Sequence, residues 1–380
     1  MGSCLGQKNN DERKQHAPNH RGDKGTGNLV IFGQMSRLCH RDVRDNAYIS
    51  TKENVISLSR LACNPGFLRI FANWNTMGMR ILKTNNNKTT FIMKRLLSFF
   101  LLSLPAALTL TAGKIVTDTI HSKVLGADVY YNVYLPSGFG KQADARYPVV
   151  YLLHGLSDDY RAWRDKGQMQ SVADELIESG EACKMVIIMP GAGGPDIHNT
   201  WNGYFNMPGW AYEDFFFTEL LPTAEAKYRV AGDKGHRAIM GLSMGGGGST
   251  VYCQRHPDMF SSCYAMSAWL DEGPLKEDDS QPKDKLYYVK TAVREHSALD
   301  FVEKASEETR NELRTVKWFI DCGDDDFLID LSVRLHQLMR DSRIKSELRI
   351  RNGVHNWEYW HEALRMALPF ASRSFDCNGK

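Results

Sequence analysis

The sequence predicts a mostly parallel α/β sheet with helices on both faces, on three observations. Two continuous apolar runs, at 147–153 and 185–189, have the composition of strands buried on both sides. Segments of helical spacing alternate with such runs, as parallel strands joined by crossover helices require. Near the middle, a short apolar stretch, Ala238-Ile239-Met240, gives way to a glycine-rich turn and a helix-compatible segment reaching His256.

The elements follow in order. Polar/apolar alternation at 115–122 and 129–135, separated by Gly126-Ala127-Asp128, predicts an opening antiparallel hairpin. The strand at 147–153 ends in His154-Gly155-Leu156. Met169, Val172, Ala173, Leu176 and Ile177 keep helical spacing up to Gly180. The strand at 185–189 runs into the loop Pro190-Gly191-Ala192-Gly193-Gly194-Pro195. A helix is expected over 215–228, capped by Asp214 and bent at Pro222. After the glycine-rich turn come a strand at 262–268 and a highly charged stretch, 270–314, that reads as an excursion from the core. A strand at 316–322, an amphipathic helix at 328–341, a short strand at 347–350 and a helix at 359–370 close the chain.

The 380 residues carry a formal net charge of +2, which hides an asymmetry. Residues 1–92 hold 14 Lys and Arg against 6 Asp and Glu and show no apolar periodicity, so they predict no packed domain. Without stacking aromatics or a recognition motif, this basic head predicts no nucleic-acid partner. Met93-Lys94-Arg95 followed by an apolar stretch and the small residues Thr111-Ala112-Gly113 has the layout of a secretory signal peptide. Pro105 and the short apolar length argue against a stable membrane anchor. The expected organisation is therefore an unstructured or spurious extension at 1–92, a signal peptide at 93–112, and one domain at 113–380, secreted or periplasmic. Beyond the leader, Cys183, Cys253, Cys263, Cys322 and Cys377 show neither zinc spacing nor a disulfide framework, and no metal or cofactor is expected.

Chemistry concentrates at Gly241-Leu242-Ser243-Met244-Gly245. A strand, a sharp turn and a helix around G-x-S-x-G form the context of a nucleophile elbow, so Ser243 is the expected nucleophile. Gly323-Asp324-Asp325-Asp326 and Gly353-Val354-His355 follow two later strands, where reactive groups of such sheets lie. His355 is the expected base, and Asp326, with Asp325 second, the expected acid. Backbone N–H groups of Met244, after the nucleophile, and Leu156, after the first buried strand, are the candidate oxyanion donors. His154 reads as structural. Trp201, Asn202 and Tyr204, in the loop after Gly191, and Trp357 with Trp360, beside the base, are candidate substrate platforms.

These motifs, together with residues 147–155, Tyr212-Glu213-Asp214-Phe215, His236-Arg237-Ala238 leading into the elbow, Cys322-Gly323-x-x-Asp326 and Gly353-x-His355, resemble the esterase D-type putative esterases. Within that group the chain is most similar to the feruloyl and acetyl-xylan esterases of carbohydrate esterase family one. The resemblance spans nearly all of 115–370. It implies an α/β-hydrolase fold and metal-free cleavage of an acyl ester, acetyl or feruloyl, on plant polysaccharide fragments by Ser243, Asp326 and His355, with Leu156 and Met244 as oxyanion donors. An S-formylglutathione hydrolase-like thioesterase, an acyltransferase on the same scaffold and a non-catalytic carbohydrate-binding relative are the alternatives.

Overall fold

The two apolar runs become neighbouring strands at the centre of a sheet. A computed structural model describes residues 48–51, 54–57, 112–142, 144–274 and 284–376. The chain divides into two units, Met1–Ala106 and Ala107–Lys380. In the first, β1 (Tyr48–Thr51) and β2 (Asn54–Ser57) pair as an antiparallel hairpin, inside the stretch for which the sequence predicts no element. The rest of residues 1–92, the expected signal peptide apart from Ala112, and Cys377 lie outside the described residues.

The second unit carries β3 (Lys114–Ser122), β4 (Ala127–Leu135), β5 (Val149–Leu153), β6 (Val186–Pro190), the short pair β7 (Asn206–Met207) and β8 (Trp210–Ala211), β9 (Arg237–Leu242), β10 (Ser262–Met266), β11 (Lys317–Gly323) and β12 (Ser346–Arg351). Its helices are α1 (Ala162–Asp165), α2 (Met169–Glu178), α3 (Tyr212–Phe215), α4 (Leu221–Lys227), α5 (Met244–Arg255), α6 (Lys285–Glu295), α7 (Ala298–Lys304), α8 (Glu307–Leu313), α9 (Ile329–Asp341) and α10 (Trp357–Ser372). Eight strands form one sheet in the order β12-β11-β10-β9-β5-β6-β4-β3. Pairing is parallel from β12 to β6. It is antiparallel only where the opening hairpin joins at β4 and β3. This is the α/β-hydrolase arrangement, and the chain reverses its direction of travel across the sheet at β5, so that β9 lands on the opposite side of β5 from β6.

Strand β5 shows why its run is continuous rather than alternating. Val149, Tyr151 and Leu153 pack into the layer that holds Met244, Val251 and Tyr252 of α5. Val150 and Leu152, pointing the other way, pack with Val172 and Leu176 of α2 and Ala363 and Leu364 of α10. Both faces are covered, so neither can carry polar residues.

Two expectations change. The helix expected at 215–228 starts earlier and changes register: a π-helical turn, Phe216–Leu220, joins α3 to α4 just ahead of Pro222, whose missing N–H cannot join the α ladder. Asp214 lies within α3 and caps nothing, because its carboxylate accepts from Asn206 Nδ2 at 2.9 Å. The described part of the stretch 270–314 is no excursion. Val289, Ala292 and Val293 of α6, Ala298 and Val302 of α7, and Leu313 of α8 are buried in the same layer as α5. Asp284, Ser297 and Ser306 cap these three helices by accepting from Tyr287, Asp300 and Thr309 N–H. Their charged residues occupy the outer faces and mask the apolar stripe.

A buried ion pair ties α4 to β9. Arg237 donates through Nε and Nη2 to the two oxygens of Glu225 at 2.7 and 2.9 Å, and through its remaining N–H groups to the carbonyls of Met259 and Gly232. Tyr151 OH donates to the same carboxylate at 3.1 Å. Removing one partner strands the other charge out of water. Glu225→Ala is therefore expected to lower unfolding stability by about 3–5 kcal/mol in chemical denaturation, and a loss below about 1 kcal/mol would show the pair to be solvated.

Candidate active site

The elbow is built from close backbone contacts. Ser243 sits between β9 and α5 with φ 52° and ψ −118°, a region that costs a side-chain-bearing residue on the order of 1–3 kcal/mol. The neighbours that hold it there are explicit. Its N–H donates to Met266 O at 2.9 Å, and its carbonyl accepts from Gly247 and Trp269 N–H at 3.0 and 2.9 Å. A Cβ at Gly241 would approach Gly245 O to 2.4 Å, and one at Gly245 would approach His154 O to 2.5 Å. Both glycines of the pentapeptide are thus required by the approach of α5 to β9 and β5.

Ser243 Oγ lies 2.9 Å from His355 Nε2. On the other side of the ring, Nδ1 lies 2.8 Å from Asp326 Oδ2 and 3.1 Å from Oδ1. Because an ionised carboxylate only accepts, Nδ1 carries the proton and the Nε2 lone pair faces the serine. Asp326 is 2% exposed. Burial pushes its carboxyl upward, but hydrogen bonds from His355, from the Leu328 N–H at 2.9 Å and from Ser267 outweigh it and hold the group below the usual carboxylate range. Ser243, Asp326 and His355, named from the sequence, are therefore brought into one hydrogen-bonded chain.

The other aspartates of the run shape the histidine loop instead. Asp324 Oδ1 accepts from Gly353 N–H at 2.9 Å, and the Asp325 N–H donates to Gly353 O at 3.1 Å. Past His355, Asn356 caps α10 by accepting from Tyr359 N–H. Tyr359 OH donates to Asp321 Oδ1 at 2.5 Å, and Tyr264 OH to Asp321 Oδ2 at 2.7 Å. Asp321 is fully buried at the end of β11, so the start of α10 is pinned to the strand that leads to Asp326. Sequence reading missed this carboxylate, because inside an apolar strand nothing distinguishes it until its phenol partners arrive from β10 and α10.

His154 has both ring nitrogens committed. Nε2 accepts from Ala192 N–H at 2.9 Å, so Nδ1 carries the proton and donates to Gly155 O at 2.8 Å. Burial lowers its pKa, which keeps the ring neutral in that tautomer. It fastens the loop after β5 to the loop after β6. A Cβ at Gly155 would lie 3.6 Å from Ser243 Cβ, so the loop carrying Leu156 passes directly beside the nucleophile. Met244 is the first residue of α5, where the N–H has no partner within the helix.

The expected aromatic platforms are corrected in part. Tyr204 is 1% exposed; its OH donates to His154 O at 3.0 Å and its ring packs against Tyr212. Asn202 is equally buried and donates to the carbonyls of Asp158 and Gly194. Both are scaffolding, since no substrate ring can reach them. Trp201 is half-buried, stacked on Trp210, with Lys285 Nζ 3.6 Å from its ring centroid, so a sugar would have to compete for it. Trp357 is half-buried, edge-on to Trp163 and Trp360. Trp360 in turn meets the His355 ring edge-on at 4.8 Å and donates to Ser267 Oγ. The aromatic nearest the base is one the sequence reading passed over: Phe327, 75% exposed, its ring 4.5 Å from that of His355. Its position directly after the acid was the available signal. Among the described residues, no cluster of His, Cys, Asp or Glu could hold a metal ion.

A sequence profile of the family described as "Putative esterase" matches residues 122–371. A solved ferulic acid esterase is 49% identical, is covered over 100% of its length by 70% of this chain, and superposes with a TM-score of 0.67. A curated endo-1,4-beta-xylanase/feruloyl esterase of Xylanibacter ruminicola is 33% identical over 151 residues, which are 39% of this chain and 20% of that protein. The chain spans about a fifth to a third of the length of the first curated relatives it matches. A solved S-formylglutathione hydrolase of Staphylococcus aureus shares the fold, with a TM-score of 0.55 at 21% identity over 68% of this chain and 99% of that one.

The elbow geometry yields a stability test. Gly245→Ala forces the helix away from the carbonyls of Leu153 and His154, both within 2.6 Å of the added methyl. The expected loss is about 1–3 kcal/mol in denaturant unfolding, with activity falling alongside. A variant as stable as the parent would mean that α5 can move away from β5 freely.

Proposed function

The chain belongs to the putative esterase family of carboxylic ester hydrolases, and on that premise we propose that it cleaves feruloyl or acetyl esters of plant polysaccharide fragments through Ser243, His355 and Asp326. The observation that carries this is the unbroken chain from Ser243 Oγ through the His355 ring to Asp326. His355 Nε2 takes the hydroxyl proton as Ser243 Oγ attacks the ester carbonyl carbon. The resulting oxyanion is held by the N–H groups of Leu156 and Met244. Collapse breaks the bond to the alcohol oxygen, which receives the proton back from Nε2, and leaves an acyl-serine. Water, deprotonated by the same nitrogen, attacks that ester and restores the serine. Asp326 keeps the Nδ1 proton in place and stabilises the imidazolium without taking the proton.

The Met244 side chain packs with Phe205, Met207, Val289 and Val293, all buried, so the layer behind the oxyanion donor is closed. Support for substrates outside the cell comes from the leader-like sequence at 93–112, and export would be tested by N-terminal sequencing of the mature protein, which should begin near Gly113.

Three substitutions test the chemistry. Ser243→Ala should abolish hydrolysis of p-nitrophenyl acetate and methyl ferulate with an unchanged circular dichroism spectrum. His355→Ala should cost on the order of 10³-fold or more in kcat. Asp326→Asn should be far more damaging than Asp325→Asn; the reverse order would move the acid by one residue. Side-by-side kinetics test the substrate: methyl ferulate or acetylated xylo-oligosaccharides should reach kcat/KM of ~10⁴ M⁻¹s⁻¹ or more, and S-formylglutathione should be clearly poorer. A thioester preferred over every carbohydrate or phenolic ester would defeat the polysaccharide reading while leaving the ester hydrolase.

A further inference from the structure

Phe327 is the most exposed large apolar side chain among the described residues, at 75%, and Val354, next to His355 in the chain, is 44% exposed. Large apolar groups left in water beside a reactive centre call for an occupant, since burying them is favourable and no described residue covers them. The position of Phe327 fixes which part of an ester that occupant belongs to. Its ring centroid is 4.5 Å from the His355 ring at an interplanar angle of 46°. His355 Nε2, 2.9 Å from Ser243 Oγ, is the atom that returns a proton to the departing alcohol oxygen. The alcohol half of the ester must therefore lie at the Nε2 edge of the imidazole, the ring on which Phe327 packs. The acyl half lies towards the Leu156 and Met244 N–H groups.

We propose that Phe327 is a leaving-group subsite: its exposed ring packs against the apolar face of the sugar that carries the acyl group, and so makes the enzyme selective for esters of carbohydrate over esters of small alcohols. This rests on the ester-hydrolase reading above and adds the side of the scissile bond that reading leaves open. Sugar rings present axial C–H groups on one face and suit an aromatic surface, which supplies contact area at little conformational cost. A methyl leaving group offers no comparable face to that ring. The buried candidates on the other loop, Asn202 and Tyr204, cannot supply such a surface.

The experiment compares two substrates with the same acyl group, methyl ferulate and a feruloylated arabino-oligosaccharide, on the full-length chain and on Phe327→Ala and Phe327→Trp. The side chain is exposed, so both variants should fold, which circular dichroism and melting temperature verify. Phe327→Ala should raise KM for the oligosaccharide about 10-fold while changing kcat and the methyl ferulate parameters less than about 2-fold. Phe327→Trp should retain or improve the oligosaccharide KM. An equal loss on both substrates would make Phe327 a shield of the imidazole and overturn the proposal, and no change on either would overturn it as well. Failure of methyl ferulate turnover by the parent chain would instead count against the ester-hydrolase reading, so the two failures are distinguishable.

Discussion

Everything at the site depends on how closely α5 approaches the ends of β5 and β9. The approach is backbone against backbone, with Gly245 facing the carbonyls of Leu153 and His154 and Gly241 facing Gly245 itself. That contact leaves Ser243 no ordinary conformation, and the positive φ lifts its hydroxyl above the sheet. The strain persists because Met266, Trp269 and Gly247 each hold a backbone atom of the same residue. Two neighbouring strands and one helix therefore fix the nucleophile before any side-chain chemistry is considered.

The base is positioned by a different device. Strand β11 and the loop after it carry two buried carboxylates only five residues apart, Asp321 and Asp326, with opposite tasks. Asp321 is surrounded by phenol donors from β10 and α10 and binds the elements together. Asp326 receives the imidazole N–H, a backbone N–H and the Ser267 hydroxyl, and orients the ring. Asp321 also faces the Arg351 guanidinium at 3.7 Å, so every partner it has is a fixed donor, whereas Asp326 holds a ring whose far nitrogen stays free to take a proton. The distinction lies wholly in the partners.

Much of this was legible in sequence because the relevant signals are local. Every sheet strand from β3 to β12 apart from the two-residue pair falls on a segment whose apolar pattern predicts it, and the Ser243, Asp326 and His355 positions follow from strand ends in chain order. What failed to show were properties set by distant partners. Helices α6, α7 and α8 bury only six small or branched residues between them, too few to stand out against their charges, so their share of the core was invisible. Tyr204 and Asn202 read as a surface because their loop is rich in glycine and polar residues, yet the His154 carbonyl and the Asp158 carbonyl draw them inward. Phe327 was hidden for the opposite reason: an aromatic beside an aspartate run suggests nothing about exposure.

The placement of α6 ties the layer behind the elbow to durability. Val289 and Val293 pack beside Met244 and are buried members of the principal core. Trimming either to open space behind the nucleophile removes methyl groups from that core, at roughly 1 kcal/mol for each that leaves a void. Adding bulk there crowds a layer already packed against α5. Reshaping this side of the elbow would therefore have to follow stabilising changes made elsewhere.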